Sequence, residues 1–65
     1  MSLVIAVSKC DVLVDNNTFQ VTEGDMFYVL DSTSSLWRVK PISRGGKDFL
    51  MDSRNLEVLL FFKIK

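Results

Sequence analysis

The 65-residue chain has no histidine, one cysteine (Cys10), one proline (Pro41) and three glycines. Without histidine there is no Ser-His or Cys-His pair to activate a nucleophile, and Cys10 alone cannot assemble a tetrahedral Cys/His zinc site. One cysteine also rules out an intramolecular disulfide. Small secreted domains ordinarily lean on such cross-links, so a reducing, cytoplasmic setting is expected. Long apolar runs are missing as well: the longest, 3–7 and 58–62 among them, have five residues each, against the ~20 needed to cross a bilayer. The first of these runs lacks a basic leader and a small-residue cleavage site, so neither a secretory signal nor a membrane association is expected.

What is present is ordinary globular content, 48% hydrophobic and 25% charged. A chain this short forms one domain, 1–65, and buries only ~60% of the surface that its unfolded form exposes. That leaves little room for a catalytic cavity, and a protein that is not an enzyme, with no cofactor, metal or small-molecule substrate, is the expectation. Lys plus Arg equals Asp plus Glu at 8 each, which does not suit a wholly basic nucleic-acid binder.

Turn-forming residues cut the chain into short pieces at Asp15-Asn16-Asn17, Glu23-Gly24-Asp25, 31–35, 41–46 and 52–55. The pieces between them are rich in Val, Ile, Leu, Phe and Tyr, which is strand chemistry. Strands are predicted over 3–8, 11–14, 19–22, 26–31, 36–40, 47–51 and 56–63. Alternation sends Phe19 with Val21, and Phe27 with Val29, toward one core. In the last segment Leu56, Val58, Leu60, Phe62 and Ile64 fall on one face, and Glu57, Leu59, Phe61, Lys63 and Lys65 on the other. A strand with one face in water should not carry large apolar residues on both, so the chain ends read as two-sided strands that pair with each other or with a partner.

From Phe19 onward the order of features resembles a Src-homology-3-like small barrel. The stretch Phe19-Gln20-Val21-Thr22-Glu23-Gly24-Asp25-Met26-Phe27-Tyr28-Val29-Leu30 is similar to that family's diverging-turn signature. A Ser/Thr-rich loop at 32–35 leads to Leu36-Trp37-Arg38-Val39, Gly45-Gly46 stand where the distal hairpin turns, and 49–59 looks like the closing strand, helical turn and last strand. The resemblance covers roughly residues 10–59. It implies an all-β barrel of five to seven strands with a short helical turn before the last one, in which Gly24 takes unusual backbone angles and Asp25 bonds turn amides. The tyrosine-rich opening segment and the Pro and Tyr of the closing turn have no counterpart here, so the resemblance does not extend to a groove for proline-rich peptides.

Two site readings follow. In the first, the chain is an interaction module or small regulatory accessory protein, similar in its minimal build to bacterial or phage-like ones. It binds a protein partner or itself through Val4, Trp37, Leu59 and Phe61, unless a loop from 41–47 or around Asn16 covers that apolar strip. Trp37 is either a structural or rim residue or a ligand contact. In the second reading, the charge split between halves, −4 over 1–35 and +4 over 36–65, makes a nucleic-acid face from Trp37, Arg38, Lys40, Arg44, Lys47 and Arg54. The acidic residues Asp11, Asp15, Glu23 and Asp25 read as turn formers, or as a lure for a basic peptide.

Overall fold

The computed structural model describes residues 2–14, 16–42 and 45–63. Among the described residues seven strands alternate with turns: β1 (Ser2–Ser8), β2 (Val12–Val14), β3 (Phe19–Val21), β4 (Met26–Asp31), β5 (Leu36–Pro41), β6 (Phe49–Asp52) and β7 (Leu56–Lys63). A 3-10 turn, Ser53–Asn55, precedes β7, as expected, and the Asp52 side chain caps it by accepting from the Arg54 amide at 2.9 Å. β6 begins at Phe49 rather than at 47, because Gly45 and Gly46 hold φ of +69° and +101° and keep the chain in a loop. No helix among the described residues is long and apolar enough to cross a membrane.

Five strands form one antiparallel sheet in the order β6-β5-β4-β1-β7, and β2 and β3 form a separate hairpin. Every strand sends at least one side chain into a single buried cluster: Ala6, Val14, Val21, Phe27, Val39, Phe49, Met51 and Leu56. A flat sheet would hold its two edge strands about 19 Å apart, too far for their side chains to share a core. β6 ends at Asp52 and β7 begins at Leu56, a connection that spans at most about 14 Å, so the sheet curls, and Phe19 of the hairpin packs on Phe49 at its open side. Phe49 is the pivot, with its ring 5.0 Å from that of Phe19 on the hairpin and 5.7 Å, edge to face, from that of Phe27 on β4.

The turn between β3 and β4 is held as the sequence implies. Gly24 has φ of +95°, the Asp25 carboxylate accepts from the Thr22 amide at 2.9 Å, and the Asp25 amide donates to the Thr22 carbonyl at 3.0 Å. Gly24 also donates to the Ser8 carbonyl at 3.0 Å, and Ser8 donates to the Asp25 carbonyl at 2.9 Å, so the turn is strapped to the end of β1. Asp11 accepts from the Glu23 amide at 2.8 Å. These carboxylates act as turn formers; Asp15 lies outside the described residues.

The terminal strands pair as expected, antiparallel from Ser2 opposite Lys63 to Ser8 opposite Leu56. One detail overturns the expected alternation. Ile5 faces Leu60 while Ala6 faces Val58, so Leu59 is an extra residue in a β-bulge. A one-residue insertion reverses the sidedness of everything beyond it. Leu60 and Phe62 therefore share a face with Ile5 and Leu3, not with Leu56 and Val58, and Phe61 lies beside Val4. Ile64 and Lys65 lie outside the described residues.

Candidate functional site

β1 is bonded to β4 only from Ile5 to Val7, whereas its pairing with β7 runs back to Ser2. The stretch 2–4 with 61–63 is thus a two-stranded ribbon that continues past the paired part of β4. Its sequence, Leu3-Val4 against Phe61-Phe62, puts large apolar groups on both faces. Phe61 is 64% exposed, Phe62 56%, Leu59 53% and Leu60 46%, values that would suit charged residues. With Leu59 and Phe61 this exposed, no described residue of the 41–47 loop or the Asn16 turn covers the strip; 43 and 44 lie outside the described residues. Val4 is half-buried opposite Phe61, so the structure brings together Val4, Leu59 and Phe61 of the expected protein-binding set.

Trp37 is not part of that group. It sits on β5, opposite Met51, half-buried and packed against the core cluster, with β4 and β1 between it and β7 in the strand order. Its position two residues from the fully buried Val39 explains this, since both point to the inner face. Leu36 is the exposed neighbour on the outer face.

The outer face of the sheet carries apolar residues that the sequence reading did not include in a site. Leu60, Ile5 and Tyr28 form a continuous row across β7, β1 and β4, ending at Lys40 on β5. Next to it Met26 faces Val7, and Leu3 faces Phe62. Met26, Tyr28, Leu60 and Phe62 are all exposed. Together these side chains make a contiguous exposed apolar surface, a feature common at interaction sites. The signal was present in β4, where Met26, Tyr28 and Leu30 alternate with Phe27 and Val29 so that neither face is polar. The flip of Leu60 and Phe62 onto this face depends on the bulge, which no residue type announces.

The basic residues are scattered and partly neutralised. Arg38 on β5 donates to Asp48 at 2.9 Å, and Arg54 on the 3-10 turn grips Asp52 at 2.9 Å. The Arg38 hydrogen bond holds the Asp48 carboxyl below its ordinary value, and the Arg54 side chain does the same for Asp52. Asp31 is lowered first by the backbone N–H of Thr33, which it accepts at 3.0 Å. Lys40 is exposed on the outer face beside Tyr28, Lys47 is exposed in the loop before β6, and Arg44 lies outside the described residues. A shallow depression of about 390 Å³ is lined by Asn16, Arg38, Asp48, Phe49 and Leu50, and its two charges satisfy each other.

Cys10 is exposed, 3.6 Å from the Asn55 side-chain oxygen. Among the described residues no three His, Cys, Asp or Glu side chains converge as a metal-binding group. No protein-family model, no curated protein and no solved structure matches the chain at a significant level.

Proposed function

We propose that the chain is a non-enzymatic protein-interaction module, built on a Src-homology-3-like barrel, that docks through the β1–β7 ribbon. Support for the barrel comes from the order of its parts. The Gly24 turn, the Ser/Thr loop between β4 and β5, the Gly45-Gly46 loop between β5 and β6, and the 3-10 turn before β7 follow the family's sequence of features. The reading of the function rests on one observation: the ribbon exposes Leu59, Leu60, Phe61 and Phe62 without a polar face. Leaving such residues in water costs solubility and favours association, so a protein that keeps them there has a use for the surface.

A nucleic-acid role for Trp37 and the basic residues has weaker support. Trp37 packs inward, and Arg38 and Arg54 already hold aspartates, which reduces the cationic surface available to phosphates. Capture from lysate with tagged protein, run with and without nuclease, separates the two. On the docking reading a protein is retained under nuclease and lost with Leu59→Asp/Phe61→Asp, whose folding is checked by Trp37 fluorescence. Capture that vanishes with nuclease and ignores the variant would move the site to the basic residues.

A further inference from the structure

Resting on the ribbon as an interaction surface, we infer that its partner is a second copy of this chain, joined edge to edge along β7 about a two-fold axis at Leu60. The first argument is the state of the two sheet edges. β6 has the β2–β3 hairpin packed near it, while β7, among the described residues, pairs only with β1 and leaves its other side unpaired along eight residues. Each copy therefore offers one long open edge. A two-fold pairing uses both edges at once and stops growth, whereas a head-to-tail contact would propagate.

The second argument is charge complementarity. The run Glu57-Val58-Leu59-Leu60-Phe61-Phe62-Lys63 has an acid at one end, a base at the other and five apolar residues between. Laid antiparallel on itself with Leu60 at the centre, it sets Phe61 against Leu59 of the other copy, and brings Phe62 over Val58 and Lys63 over Glu57. The bulge at Leu59 changes this by at most one step, within reach of a lysine side chain. A parallel pairing in register would instead set Glu57 against Glu57 and Lys63 against Lys63. The order of charges thus selects the antiparallel arrangement, which is the one a two-fold axis normal to the sheet produces.

The area sets the strength. Covering the exposed half of five large apolar side chains removes at most on the order of 500 Å² per copy, or about 1,000 Å² in all. That is the lower bound for a specific interface, so the dimer forms in the micromolar range and is reversible.

Sedimentation of the full chain from micromolar to millimolar concentration is the test, with Glu57→Lys and Lys63→Glu as exposed variants that leave the core untouched. The wild type is expected to pass from monomer to dimer, and each variant to weaken association by on the order of tenfold. Mixing the two variants restores association, because a copy with two positive ends then meets a copy with two negative ends. A dimer indifferent to both variants, or a mixture no tighter than its parts, overturns the β7 register. A wild type that stays monomeric throughout overturns the second copy as partner, and lysate capture lost with Leu59→Asp/Phe61→Asp would then keep the docking surface for a different protein.

Discussion

Phe27 and Phe61 have the same side chain in opposite environments, 1% and 64% exposed, and truncating each to alanine measures what the fold assigns to it. Phe27→Ala removes a fully buried ring that meets Phe49 edge to face at 5.7 Å. Transfer and cavity terms together place its cost at about 3–5 kcal/mol, and loss of the ring pair adds roughly 1 kcal/mol. A chain of this length has a total stability of roughly 3–10 kcal/mol, so Phe27→Ala is expected to lose about half of it or all of it. Phe61→Ala loses only about a third of the burial of a core phenylalanine, about 0.5–1 kcal/mol. With a urea slope of about 1 kcal/mol per molar, its midpoint should fall by no more than about 1 M. The assay is urea unfolding followed by Trp37 fluorescence, at protein concentrations low enough to keep the chain monomeric, since association would add its own stabilisation. If Phe61→Ala proves as damaging as Phe27→Ala under dilution, the ribbon belongs to the core and the reasoning from exposure is refuted.

Gly24→Ala should destabilise by about 1 kcal/mol through its φ of +95° alone, because a Cβ there meets nothing within 4 Å; an unchanged urea midpoint would mean that the turn relaxes freely. The lowered carboxyls of Asp31, Asp48 and Asp52 contribute stability that is complete above the unfolded carboxylate value near 4 and is lost as pH falls through their lower folded values. Asp48→Asn should therefore shallow the acid-side decline of the urea midpoint, and a decline identical to that of the wild type would contradict the Arg38 contact. Because that pair is solvent-exposed, added salt should weaken it as well.

Strand chemistry and turn chemistry were legible in the sequence, since Val21, Phe27 and Val39 alternate with polar or exposed neighbours and Gly24 sits where only a positive φ closes the turn. The pairing of the two chain ends was legible for a related reason: both were apolar on two sides and needed a partner strand. The sidedness of β7 was not. Leu59 looks like any other apolar residue of an alternating run, and its insertion shows only in the pairing register, where Ile5 meets Leu60 and Ala6 meets Val58. Trp37 could be read either way from its type, and its inward packing follows from sharing a face with Val39. The pairing of Arg38 with Asp48 depends on a loop that brings together residues ten apart, which charge counting along the chain does not reveal.

The most direct measurement of the central claim is hydroxyl-radical footprinting of the phenylalanines in the dilute monomer and again at a concentration or with a partner that gives the complex. Phe61 and Phe62 should be oxidised readily in the monomer and protected on association, while Phe27 and Phe49 stay protected in both. Protection of Phe61 and Phe62 already in the dilute monomer would contradict an exposed docking ribbon.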